Sequence, residues 1–261
     1  MNFIMQVGRS RAPGVAGQCY LLPALDALTL RRRTVAPVFQ DRSPHAAGCA
    51  GLRRRLAGLL PADLRVRSVT VAPEGFDARF AALRRHYRYR IALPDLGLDP
   101  LDRVGVLSYG RPLDVPLMQR AAATLVGLHD FAAYCRPRTD MHGRIASTVR
   151  ELQRLEVSGD DDCVRIEVSA DAFCHSMVRA IVGALITVGE GREPVSAPAV
   201  LLAGRARTSR VSTAPACGLT LVGVDYPPDA ELAVRAATTR ALRDPLPERP
   251  FGQPTTAAQQ D

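Results

Sequence analysis

The sequence contains no lysine, yet its 261 residues carry a formal net charge of +8. The excess positive charge therefore comes from arginine, whose planar fork suits phosphates and stacked bases better than an ammonium does. This composition favours RNA or DNA as a partner. Biased codon usage would produce the same richness in alanine, arginine, glycine and proline, so the charge on its own is only suggestive.

Long hydrophobic runs and paired cysteines are also lacking. No apolar run approaches the ~18 residues that a membrane-spanning helix needs, and the N-terminus does not follow the signal-peptide pattern, so we expect a cytoplasmic protein. The cysteines occur singly, at Cys19, Cys49, Cys135, Cys163, Cys174 and Cys217. The absence of C-x-x-C spacing speaks against a zinc site and a disulfide framework, and we expect free thiols.

The first 51 residues keep no period of two or 3.6 over more than about one short element, and we assign them no fold. A regular pattern begins at Leu52, where leucines at helical spacing continue up to Pro61. Residues 64–71 are then typical of a strand. A slip in its alternation before Val69 predicts a β-bulge.

A clearer strand covers residues 86–93. One of its faces carries Tyr87, Tyr89 and Ile91, and the other carries Arg88 and Arg90. Aromatic rings beside arginines on a sheet are typical of proteins that bind single-stranded or looped RNA, because bases stack on the rings and phosphates meet the guanidinium groups. The alternative is an amphipathic strand whose basic face is simply solvated.

Residues 171–192, DAFCHSMVRAIVGALITVGEGR, form the segment around which the chain is organised. Placed on a helix, this segment is apolar on nearly all sides, which is typical of a helix in the middle of a domain. Arg179 would then lie on a largely buried element and needs a carboxylate or phosphate partner, because an uncompensated buried charge is costly. The alternative is an arginine that reaches the helix edge or forms a structural pair.

The remaining elements mix helices with strands. Asp114 is predicted to cap a helix, residues 149–157 and 163–170 to form a hairpin, and residues 219–224 to form a last strand. The tail from Leu246 is predicted to be disordered. This order favours an α+β fold in which helices cover one side of an antiparallel sheet.

Six motifs resemble those of the TruA-type tRNA pseudouridine synthases. They are GFDARF (75–80), RRHYRYRI (84–91), LVGLHDFAAYC (125–135), STVREL (147–152), ADAFCHSMVRAIVGALITVGEGR (170–192) and GLTLVGVDYPP (218–228). The resemblance implies an isomerase that converts uridine to pseudouridine in the anticodon stem-loop of tRNA, at positions 38–40, without metal or organic cofactor. It also implies a homodimer, and a fold of two α+β halves joined into one extended, mostly antiparallel sheet with helices on one side.

On this resemblance the chain divides into an irregular remnant of the N-terminal half (1–51), the rest of that half (52–110), a C-terminal half with the central helix (111–228), and a terminal helix with a disordered tail (229–261). Tyr87 matches the tyrosine that stacks on the target base, and Arg179 matches the arginine that pairs with the catalytic aspartate. The arginines predicted to bind RNA are Arg88, Arg90, Arg136, Arg138, Arg205, Arg207 and Arg210.

The sequence departs from the family at the nucleophile. The family's aspartate lies in a G-R-T-D-A-G-V-H segment, whereas this chain has Gly8, Arg9 and Ser10 followed by Arg11 at the aspartate position. We expect the family's first strand to be absent. A shortened or out-of-frame start, a natural pseudo-enzyme, and a branch whose nucleophile has moved would each explain this. The two competing functions are a synthase, active or defective in this chain, and a non-catalytic RNA-binding protein.

Overall fold

The structure is a computed structural model that describes residues 3–9, 18–21, 46–60, 64–93, 105–136, 147–159, 163–205 and 212–240, the first two ranges by their backbone only. The helices are α1 (Ala46–Leu59), α2 (Val115–Ala123), α3 (Met177–Gly189), α4 (Ala197–Ala203) and α5 (Leu232–Arg240). The strands are β1 (Phe3–Arg9), β2 (Gln18–Leu21), β3 (Leu64–Val71), β4 (Arg84–Ala92), β5 (Leu107–Ser108), β6 (Gly127–Asp130), β7 (Val149–Gly159), β8 (Cys163–Ala170) and β9 (Leu219–Asp225). The tail predicted to be disordered lies outside the described residues.

The larger sheet has six strands in the order β5-β4-β8-β7-β6, and β9 also pairs with β4. Its pairs are antiparallel except for the short parallel pair between β4 and β5. Helices α2 and α3 contact each other, and α2 contacts β7. The α+β class with a mostly antiparallel sheet, predicted from the sequence, is confirmed.

The hairpin of β7 and β8 was predicted correctly because its alternation is strict. Val164, Ile166 and Val168 are fully buried, while Arg165 between them is exposed. The side chains of a strand point to alternate faces, so one face of β8 joins the core. The helix after Asp114 is also confirmed, since the Asp114 carboxylate accepts a hydrogen bond from the Leu117 amide at 2.8 Å.

The smaller sheet has the order β2-β1-β3 and contains two strands that we did not expect, β1 and β2. Strand β1 lies in the segment to which we assigned no fold, and it pairs with β3 along its length. The apolar residues of FIMQVG do not alternate strictly with polar ones, so periodicity could not identify it. The bulge predicted in β3 is present, because the register skips Arg67.

The described strands form two sheets and not the single extended sheet that the resemblance implied. Strand β2 of the smaller sheet contacts β9 of the larger one, but no ladder joins the two.

Helix α3 is buried on nearly all sides, as predicted, but it begins later than predicted. Residues 171–176 are not helical, and Ser176, with φ of 67°, adopts a left-handed conformation directly before the first turn. The apolar residues Phe173 and Cys174 continue the helical spacing into this segment, which explains why the pattern extended the helix too far. Along α3 only Arg179 and Thr187 are not buried.

Candidate active site

Arg179 lies in the first turn of α3 and is half-buried. Its Nε donates a hydrogen bond of 2.6 Å to the main-chain oxygen of Ala214, and its own main-chain oxygen accepts one of 3.0 Å from the Ala214 amide. Neither of its terminal nitrogens bonds to any described residue. The sequence predicted a carboxylate or phosphate partner; within the described part of the chain, the partner is a main-chain carbonyl.

Tyr87 lies on the side of β4 that faces the helices, together with the fully buried Tyr89 and Ile91. Its ring meets the ring of Phe173 edge-on, with centroids 5.1 Å apart. Burial raises the pKa of Tyr87, so its hydroxyl stays protonated at neutral pH. Because Phe173 belongs to the segment that leads into α3, Tyr87 and Arg179 approach the same region of the sheet.

Arg88 and Arg90 occupy the opposite side of β4. Arg88 donates two hydrogen bonds, of 2.9 and 3.1 Å, to one oxygen of Glu167, and Arg90 donates one of 3.3 Å to the main-chain oxygen of Gly105. The split into an aromatic and a basic face is confirmed. The structure does not bring these two arginines together with Tyr87 or Arg179.

The predicted RNA-binding loops are described only in part. Arg136 is exposed, and its amide bonds to the main-chain oxygen of His175 at 3.0 Å, which places it beside the entrance to α3. Arg205 is the last residue of the described range 163–205, shortly after α4, and its φ is 48°. Arg11, Arg138, Arg207 and Arg210 lie outside the described residues.

The expectation of free thiols is wrong for one pair of cysteines. Cys135 and Cys174 form a disulfide with Cα atoms 5.7 Å apart, which is within the usual range for such bonds. Cys49 and Cys217 are free thiols. The two joined cysteines are 39 positions apart, so spacing rules could not pair them.

Residues 121–227 match the family described as tRNA pseudouridine synthase. A protein of Frankia casuarinae named "tRNA pseudouridine synthase A" is 50% identical over 238 residues, which cover 88% of this chain and 84% of that protein. A protein of Mycobacterium leprae with the same name is 50% identical over 77% of this chain and 70% of its own length. This chain belongs to the tRNA pseudouridine synthase family.

The match with the Frankia synthase reaches into the first 51 residues. It covers 88% of the 261 residues, which is about 230, whereas only 210 residues follow Gly51. At least about 20 residues before Leu52 therefore have counterparts in that synthase. The expectation that the family's first strand is absent stays a prediction.

Arg85 is a residue of the site that sequence reasoning did not identify. It shares the side of Tyr87 and donates hydrogen bonds to two main-chain oxygens, that of Asp171 at 2.9 Å and that of Arg79. Burial lowers the pKa of its guanidinium group. The alternation along β4 was sufficient to place Arg85 on the side of Tyr87, but its partner Asp171 lies 86 residues later in the chain, and periodicity cannot predict that contact.

The described residues contain no group of three or more histidine, cysteine, aspartate or glutamate side chains that could hold a metal ion. No helix among them is long and apolar enough to cross a membrane.

Proposed function

We propose that this chain is a tRNA pseudouridine synthase by descent that engages the anticodon stem-loop, where its relatives' reaction would convert uridine to pseudouridine at positions 38–40. We further propose that the present chain, with Arg11 in place of the nucleophilic aspartate, converts little or no uridine. The observation that carries the assignment is the half-buried Arg179, whose Nε is held by Ala214 while its terminal nitrogens form no hydrogen bond or ion pair with any described residue.

The chemistry explains why these residue types would be needed. A carboxylate attacks the nucleotide, the bond between N1 of uracil and C1′ of the ribose breaks, and the base turns so that C5 bonds to C1′ while the bond to the carboxylate breaks and frees it. The proton that leaves C5 is balanced by one gained at N1, so the reaction is an isomerisation. Arg179 would keep the carboxylate ionised and oriented, and Tyr87 would support the flipped base.

Arg11 is the feature that opposes full activity. Removing a nucleophile deletes covalent catalysis instead of weakening it. The alternative function is therefore a non-catalytic protein that binds tRNA through the same surface. This second function is favoured by Arg11 alone, while the match with named synthases favours the first.

The location and the oligomeric state of the protein follow from the same assignment. We propose that it works in the cytoplasm as a homodimer, because its substrate would be tRNA and the resemblance to the family implies a dimer. Sedimentation analysis of the purified chain, alone and with tRNA, tests the dimer directly.

Two assays on the same preparation separate the functions. Release of tritium from tRNA carrying 5-tritiated uridine measures turnover, and a gel-shift series measures binding. We expect tRNA to bind and little or no tritium to be released. Binding without turnover supports the defective synthase or the binding protein, robust turnover refutes the role given to Arg11, and no binding refutes both.

A further inference from the structure

We infer that residues 212–218 form a strap that aims the guanidinium group of Arg179, and that Gly183 is the positioning residue that lets this strap lie against α3. The inference rests on the proposed role of Arg179 and adds to it the means by which the side chain is oriented.

The strap is joined to α3 by both main-chain polar groups of one residue, Ala214. Ala214 donates its amide to the main-chain oxygen of Arg179 at 3.0 Å and accepts the Nε–H of the same residue at 2.6 Å. Because the Nε bond fixes the plane of the guanidinium, the edge that carries the two terminal nitrogens is left for an anionic partner.

Gly183 lies one helical turn after Arg179, on the same side of α3. A Cβ atom at this position would stand 2.0 Å from the main-chain oxygen of Ser212 and 2.8 Å from its carbonyl carbon. Both atoms belong to the backbone, so a rotamer change cannot relieve the collision. The strap can occupy its place only if residue 183 has no side chain.

The other end of the strap is held by β4. The Tyr89 hydroxyl donates to the main-chain oxygen of Pro215 at 2.7 Å, and a Cβ at Gly218 would lie 2.6 Å from a ring carbon of Tyr89. Two successive carbonyls of the strap, those of Ala214 and Pro215, therefore bind one side chain from α3 and one from β4. Strand β9 starts directly after the strap and pairs with β4, so the strap cannot shift independently of the sheet.

Gly189 provides a matched control on the same helix. A Cβ there would stand 2.7 Å from the sulfur and 2.9 Å from Cγ of Met118, which are atoms of a flexible side chain. Gly183→Ala and Gly189→Ala thus add the same methyl group to α3, but only the first pushes on the strap.

The test follows the Arg179 Nε–H by NMR in protein labelled with 15N-arginine, with the resonance assigned by its loss in Arg179→Lys. We expect this hydrogen to exchange slowly in the unchanged protein and in Gly189→Ala, and at least about tenfold faster in Gly183→Ala. Tyr89→Phe adds no volume, and loss of one hydrogen bond should accelerate exchange by about fivefold. If Gly183→Ala does not fold, the Tyr89→Phe variant still tests whether the strap holds Arg179.

Unchanged protection in both Gly183→Ala and Tyr89→Phe would overturn the inference, as would equal acceleration in Gly183→Ala and Gly189→Ala. The measurement needs neither tRNA nor turnover. If protection behaves as expected while tRNA does not bind, the proposed function fails and the strap stands.

Discussion

The disulfide between Cys135 and Cys174 should stabilise the fold substantially. It joins the segment before Arg136 to the entrance of α3, and thereby closes a loop between positions 39 residues apart. The test replaces both cysteines by serine, which removes the cross-link and leaves each side chain close to its original size.

The expected magnitude follows from the loop length. In the chain-entropy account, cross-linking residues that far apart removes about 4 kcal/mol of conformational freedom from the unfolded state. Net stabilities of domains are about 5–15 kcal/mol, so the loss would be a large share of the total. With a urea dependence of about 1–3 kcal/mol per molar, the unfolding midpoint should fall by at least about 1 M.

Urea unfolding followed by circular dichroism measures this change. The unchanged protein should lose stability when dithiothreitol is added, whereas the double variant should be unaffected by the reductant. Cys217→Ser, at an exposed free cysteine, is the matched control and should behave as the unchanged protein does. If both Cys135 and Cys174 react with an alkylating reagent in the native protein without reductant, the free thiols predicted from the sequence are correct and the disulfide reasoning fails.

Three further outcomes are expected. Raising the salt concentration should weaken tRNA binding steeply, because arginines such as Arg136 displace counterions from phosphates, and a gel-shift series without salt dependence would contradict this. Tyr87→Ala should weaken tRNA binding by ~1–3 kcal/mol, the contribution of one stacked base, when the affinity is corrected for the folded fraction of the variant. If the variant unfolds and its folded fraction binds tRNA as tightly as the unchanged protein does, Tyr87 is a core residue only. Burial acts to raise the pKa of the Glu190 carboxyl, but hydrogen bonds from Tyr109, Arg111 and Arg192 outweigh it, and the pKa in the folded protein is lowered. The folded state is therefore stabilised fully above the pKa of the unfolded chain, near 4.5, and loses this stabilisation as the pH falls through the lower pKa of the folded state. In Glu190→Gln the urea midpoint should therefore depend less on pH below 4.5, and an unchanged profile would show that the carboxylate is not responsible.

Sequence reasoning succeeded where a local pattern decides the structure. The alternation Val164, Ile166 and Val168 was enough to predict β8, and Asp114 with its downstream amide was enough to predict the start of α2. Both depend on neighbours a few residues apart, and the larger fold agreed with them.

Contacts between segments that are distant in the chain could not be predicted from the sequence. Nothing in the spacing around Gly183 shows that the backbone of Ser212 will lie against it, because that approach is created by the return of the chain after α4. The placement of Arg88 shows the same limit. Alternation separated it correctly from Tyr87, but the Glu167 that neutralises it comes from a strand 79 residues later in the chain.

The substitution Arg11→Asp tests what the present chain lacks. Strand β1 ends at Arg9, two residues before this position. Two features of the sequence oppose activity. An arginine at the family's aspartate position would oppose Arg179 with a like charge, and the following segment, APGVAGQ, differs from the A-G-V-H of the family.

We expect that Arg11→Asp removes the repulsion but does not restore full turnover. A catalytic carboxylate must be placed to within about 0.5 Å, and an error of about 1 Å can cost 10²-fold in rate. The Frankia casuarinae relative, measured in the same tritium-release assay, gives the reference rate, and the variant should remain at least about 10²-fold below it. A variant that reaches the reference rate would show that Arg11 alone disables the site and that the altered segment after it is harmless. Robust turnover by the unchanged chain would show instead that another carboxylate serves Arg179.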